Sequence, residues 1–214
     1  MKKIYFLVLF IISLNSNAQD TIMFDSDFVF NEGIYKTFKE FKTNSPSLTR
    51  DVFITDERMV TIDSDFDTNR IYYKDSAGNR VKLTRDSIWG YSRNNVVYVN
   101  YGGHFHRLMI IGAIGHFIIT QKINYSYQGT AYDDSYNKNY QFMLDFLTGK
   151  IFKYDLENFK FLLSSDKKLY YEFCALKRER KMKKQMFIYL RKYNKLHPIF
   201  LRVNSNGKSE LTVE

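Results

Sequence analysis

HFHRLMIIGAIGHFIITQKI, residues 104–123, decides the fold. On both sides of Gly112-Ala113-Ile114-Gly115, short runs rich in Ile and Phe show the two-residue period of extended chain, built from residue types that suit a pleated surface. The glycines at 112 and 115 allow a tight connection, so residues 104–111 and 116–123 read as adjacent antiparallel strands. Upstream, residues 96–100 add a strand. Downstream, residues 140–147 and 150–154 add two more around Thr148-Gly149. Residues 70–74 and 80–83 flank Asp75-Ser76-Ala77-Gly78-Asn79, a hairpin loop in which Gly78 can take a positive φ cheaply. Residues 52–55 and 59–62 read as a further pair with a polar turn between them. No helical period interrupts residues 51–154, which argues against a parallel sheet with crossover helices. The polar, Tyr-rich stretch 124–139 is the longest expected loop.

Toward the N-terminus, Phe24, Phe28 and Phe30 share one parity and suggest a first strand within residues 19–30. Thr37-Phe38-Lys39-Glu40 has capping-box spacing for a short helix that Asn44-Ser45-Pro46 would end. After Asp155 the period changes. Phe159, Leu162 and Leu163 suggest one short helix, and Ser164 or Ser165 can cap a second carrying Leu169, Phe173 and Leu176. A third runs to about Leu196 and stops at His197-Pro198. Residues 199–203 suggest a final strand. The expected fold is α+β: an antiparallel β-meander, either a curled sheet or an open barrel, over residues 19–154. A basic helical segment, residues 155–214, packs on the same domain.

Met1-Lys2-Lys3, the apolar run 4–14 and the small residues Ser16 and Ala18 read as an export signal cleaved after Ala18. The apolar run is shorter than the ~20 residues that cross a bilayer, and no later segment approaches that length. The expected location is therefore the periplasm or the exterior. With 19 Phe, 17 Tyr and only 2 Pro, the composition opposes disorder. A single cysteine, Cys174, leaves no internal disulfide framework, so stability rests on packing. Three segments, GIYKTFKEFKTNSPS (33–47), SIWGY (87–91) and LRKYNKLHP (190–198), together with Asn17-Ala18-Gln19, resemble small exported proteins common in Bacteroidetes. That resemblance implies export and a shared fold; the family has no assigned activity, and no functional residue is carried over.

Charge is concentrated in the C-terminal third. Residues 19–149 hold 14 Lys and Arg against 16 Asp and Glu, a net of −2, whereas residues 150–202 hold 15 against 5, a net of +10. Electrostatic contact with a partner therefore belongs to the latter. Plotted at about 100° per residue, Met182, Met186, Tyr189, Leu190, Tyr193 and Leu196 form one stripe of the third helix. Lys177, Arg180, Lys181, Lys184, Arg191, Lys192 and Lys195 gather opposite, and no acid occurs between Arg180 and Ser209. A solvated helix whose Lys stems cover apolar surface would look similar. Ile188, however, lies inside the basic face, where solvation alone does not call for it. These eight residues are the candidate contacts with an acidic surface: lipid headgroup, polysaccharide or acidic protein. An exported chain makes nucleic acid a poor fit.

Other constellations are weaker. Asp63, Asp65, Asp67 and Asn69 have the alternation of a calcium loop, but Thr68 stands where such a loop needs Gly and Lys74 where it needs a bidentate Glu. An acidic, self-capping turn fits better. His104 and His106 share a strand face without convergent further ligands, and His116 lies too far along the hairpin, so no metal or other cofactor is expected. Cys174 falls on the apolar side of its helix, where a thiol acts as a small hydrophobe. Trp89-Gly90-Tyr91 and Tyr125, Tyr127, Tyr132, Tyr136 and Tyr140 could stack against sugars, or simply pack. No nucleophile elbow, phosphate loop or dinucleotide fingerprint is present. The expectation is a non-catalytic exported binding or envelope-associated module. A curled-sheet carrier of a small ligand is the alternative, and an enzyme stands third.

Overall fold

The computed structural model describes residues 20–24, 28–49, 53–54, 72–75, 77–126, 133–203 and 209–213. In chain order the first elements are β1 (Asp20–Met23), β2 (Gly33–Tyr35), α1 (Phe38–Lys42), β3 (Leu48–Thr49), β4 (Phe53–Ile54), β5 (Tyr72–Lys74) and β6 (Arg80–Lys82). The meander follows as β7 (Gly90–Arg93), β8 (Val96–Tyr101), β9 (His104–Ile110), β10 (Ile114–Ser126), β11 (Asp133–Asp145) and β12 (Ile151–Lys153). Helices α2 (Leu156–Leu163), α3 (Lys167–Cys174) and α4 (Glu179–Leu196) precede β13 (Ile199–Val203) and β14 (Ser209–Val213).

Eight strands form one antiparallel sheet in the order β12-β11-β10-β9-β8-β7-β2-β3, curled as a half-barrel. The expected α+β architecture is thus present, with the helices after the sheet. Two three-stranded sheets, β1-β13-β14 and β4-β5-β6, complete the strands among the described residues. The hairpin of the opening stretch is there, closed by residues 111–113 and kinked by a bulge between His116 and Phe117. Gly112 sits at φ +153°, and a Cβ there would lie 2.6 Å from the Asn194 side chain. Only glycine lets the helix approach the turn this closely.

Strand alternation sorts side chains onto two faces. Ile114 and Met143 pack among the buried residues of α2, α3 and α4. Phe117, Phe142 and Leu144, one residue out of phase, pack on the other side with Val97, Val99, Phe24, Phe28, Phe30, Phe41, Ile199 and Leu201. Each fully buried Phe contributes about 1.5–3 kcal/mol from removal of apolar surface. A third cluster (Ile34, Leu48, Leu83, Ile88 and Tyr91) joins the far end of the curled sheet to Tyr73 of β5.

The structure corrects several expectations. Residues 124–126 and 133–139 are strand, not loop: β10 and β11 stay paired from Ile114↔Asp145 to Ser126↔Asp133. Their outer part runs past the sheet, since β9 meets only His116 and Phe117, and β12 meets only 142–144. With no core beneath it, that ribbon exposes Gln121, Lys122, Asn124 and residues 135–139, so period two carries no hydrophobic signature there. Phe24, Phe28 and Phe30 are buried but follow β1 in irregular chain. Glu40 does reach back, but to the Lys36 N–H at 2.7 Å, while the Thr37 hydroxyl accepts from the Glu40 N–H. α3 is capped by Asp166, not by a serine; Ser164 and Ser165 instead donate to the Phe161 and Leu162 carbonyls. β7 was not expected as a strand. The strand expected at 59–62 and the acidic turn at 63–69 lie outside the described residues.

Candidate functional site

α4 is the longest helix described, and its orientation follows from its own sequence. Met182, Met186, Tyr189 and Leu190 are buried against α2 and α3. Asn194 anchors the C-terminal end: its side chain accepts from the Ile114 N–H at 2.8 Å and donates to the Ile114 carbonyl at 2.9 Å, completing the backbone pairing where β10 begins. Phe187, on the flank, meets the rings of His116 at 4.9 Å and Tyr154 at 4.7 Å. With the Met182, Met186, Tyr189 and Leu190 face buried and the Phe187 and Asn194 flank fixed, the remaining face is left to solvent. Leu196, expected in the buried stripe, is 53 % exposed at the last turn, because the core contacts end before it.

All eight candidate residues are exposed. Lys177 precedes the helix at φ +57°, in the turn that reverses the chain after α3. Arg180, Lys181 and Lys184 occupy the first half, Arg191, Lys192 and Lys195 the second. Ile188 sits between them, 57 % exposed. One cation is spoken for. The Lys192 Nζ donates to both Glu172 oxygens of α3, at 2.6 and 2.7 Å. Those hydrogen bonds, with help from the Tyr189 hydroxyl, hold the Glu172 carboxyl below the usual carboxylate range. Glu172 lies outside α4, so a helical plot of α4 cannot show the pairing. Glu179 pairs along the helix with Lys183, which lies beside the candidate face.

The basic face borders a cleft of about 530 Å³ between α4, β9 and the end of β1. Arg191 and Lys195 line it from the helix and Arg107 from β9, while Phe24, Val97, Leu108 and Ile199 supply buried apolar lining. Arg107 escaped the sequence reading because it stands in the region whose net charge is −2. Only the register of β9 brings it opposite the helix.

The remaining candidates fall apart or into packing. His106 lies on the Phe117 side of the sheet, its ring stacked on that of Phe117 and its Nε2 3.3 Å from the Tyr101 carbonyl. His116 is buried on the helix side against Gln141, so the two histidines face opposite ways. No group of three His, Cys, Asp or Glu side chains is assembled among the described residues. Trp89 stacks on Phe41 at 4.4 Å, and buried Tyr91 stacks on Tyr98 at 4.6 Å. Tyr136 and Tyr140 stand on β11, with the Lys138 Nζ 5.1 Å from the Tyr140 ring centre. Cys174 is half-buried beside the helical core. Among the described residues, no helix is long and apolar enough to cross a membrane. Compared with known proteins, the chain matches no family model, no curated protein and no solved structure.

Proposed function

We propose that the protein is an exported, non-catalytic binding or envelope-associated module that meets an acidic surface through the outward face of α4, in the periplasm or outside the cell. One observation carries this reading: Arg180, Lys181, Lys184, Arg191 and Lys195 are exposed on one side of a single helix and meet no carboxylate among the described residues, around an exposed Ile188. A solvated helix gains nothing from unneutralised cations at this density, whereas an anionic partner is attracted by all of them together. Ile188 adds an apolar contact that a lipid surface can use beside the cations.

The test is retention on phosphatidylglycerol vesicles and on an acidic polysaccharide at about 50 mM salt, where screening is still weak. Wild type is retained and released as salt rises. Lys181→Glu with Lys184→Glu keeps the fold, since neither side chain touches the core, and loses retention. Retention unaffected by this pair, or absent in wild type, defeats the proposal.

A further inference from the structure

We infer that the cleft beside α4 binds an anionic amphiphile, a single-chain alkyl body with an acidic head, with the chain on the apolar floor and the head on Arg107, Arg191 and Lys195. The inference rests on the α4 reading in one respect, because two of the three cations belong to that helix. Arg107 is independent of it.

The three cations come from elements more than eighty positions apart, and none meets a carboxylate among the described residues. Gathering like charges at one cleft is unfavourable on its own, and an anion between them removes that repulsion. Arginine supplies two of the three, and its planar fork matches the paired oxygens of a carboxylate or phosphate.

Both side-chain acceptors in the rest of the lining are already in use. The two polar atoms of the Asn194 side chain are taken by the Ile114 backbone, and the Asn95 side-chain oxygen accepts from the Phe30 N–H at 2.8 Å. A sugar would leave most of its hydroxyls without partners here, which is costly. An alkyl chain meets the half-buried Ile110 and Ile111 and the exposed Met23 and Met109, with Phe24, Val97, Leu108 and Ile199 buried behind them. At the rim, Met23 and Met109 are 44 % and 56 % exposed. Flexible thioether side chains suit a chain of variable shape. The volume of about 530 Å³ falls within the range of small-molecule sites, about 300–1,000 Å³.

The acidic head is that of a free single-chain alkyl acid, and the test separates this occupant from a lipid still in a membrane. Decanoate, kept below its micelle concentration, is titrated calorimetrically into the full chain beside decanol and decylammonium. The expected result is saturable one-to-one binding of decanoate, about tenfold or more weaker binding of decanol, and none of decylammonium. Arg107→Gln with Arg191→Gln, both exposed, should weaken decanoate about tenfold or more while leaving circular dichroism unchanged. Met109→Glu, which places a carboxylate at the rim without touching the core, should abolish binding. Equal binding of decanoate and decanol, or indifference to both variants, overturns the inference. So does binding to phosphatidylglycerol vesicles with none to free decanoate. Lys181→Glu with Lys184→Glu should spare decanoate binding while removing vesicle retention, so the surface reading and the cleft can fail separately.

Discussion

The two faces of the eight-stranded sheet are covered in opposite ways. Over Ile114 and Met143 the cover is α2, α3 and α4, which supply nine buried residues between Phe159 and Leu190. Over Phe117, Phe142 and Leu144 it is drawn from Phe24, Phe28, Phe30 and Phe41 at one end of the chain and from Ile199 and Leu201 at the other. The first cover is local and could open as a unit. The second is closed by segments far apart in sequence, tied by the β1–β13 pairing. It should be lost only when the whole fold is lost.

The largest effect tests that contrast. Phe41 is fully buried and packs its ring against those of Phe24, Phe30, Tyr35, Trp89 and Phe146. Phe41→Ala should cost about 3–5 kcal/mol, read from the urea midpoint, and lower amide protection throughout β7 to β11. Phe173 is equally buried, among Phe159 and Tyr189. Phe173→Ala should lower protection chiefly in α2 to α4. If it lowers protection in β8 as much as in α3, the two faces are one cooperative unit and the contrast is broken.

The same contrast explains what the sequence revealed. The helix-covered face was legible because its contacts are periodic: Phe159, Leu162 and Leu163 lie on one face of α2, and Met182, Met186, Tyr189 and Leu190 on one face of α4. The other was legible only in part: residues 199–203 read correctly as a strand, but Phe24, Phe28 and Phe30 sit in irregular chain, where their shared parity misled. The projecting ribbon was misread for the reverse reason: it has strand geometry without burial. At the candidate site, the exposed basic face of α4 could be read from a helical plot. The pairing of Lys192 with Glu172 and the approach of Arg107 could not, since both are made across elements.

A middle-sized effect belongs to the junction of the local cover. The Asp166 side chain caps α3 by accepting from the Leu169 N–H at 2.9 Å, and its other oxygen lies 2.9 Å from the His197 Nε2 at the end of α4. The Leu169 N–H first, and His197 second, hold its carboxyl below the ordinary range. A depressed acid stabilises the fold above its unfolded value and loses that contribution as pH falls through the folded one. Asp166→Ala should therefore cost about 1 kcal/mol near neutrality, and wild type and variant should converge in acid. A constant difference from pH 7 to pH 2 would show that the carboxylate charge is not what holds α3 to α4.

The smallest effect is a pH dependence that the two faces should express differently. His116 is buried beneath α4, its Nε2 3.1 Å from the Gln141 side-chain oxygen and its ring against Tyr154 and Phe187. Burial lowers its affinity for a proton, and the Gln141 contact opposes this only in part. His106, on the opposite face, is lowered chiefly by burial as well. For a base depressed by folding, the unfolded chain takes up the proton first. Its contribution is then complete above the ordinary His value of about 6.5 and is lost as pH falls from there toward the folded value. Both histidines thus tilt stability the same way, but through different covers. Acidification through His116 should lower amide protection, taken relative to the intrinsic exchange rate at each pH, in α4 around Phe187, because the local layer can lift without the rest. Through His106 it should act on the strands. His116→Gln should flatten the fall in urea midpoint below pH 6.5 and abolish the acid-induced loss of protection in α4, leaving the share of His106 in place. If α4 protection still falls with acid in that variant, the titrating group lies elsewhere and the helical layer does not open over His116.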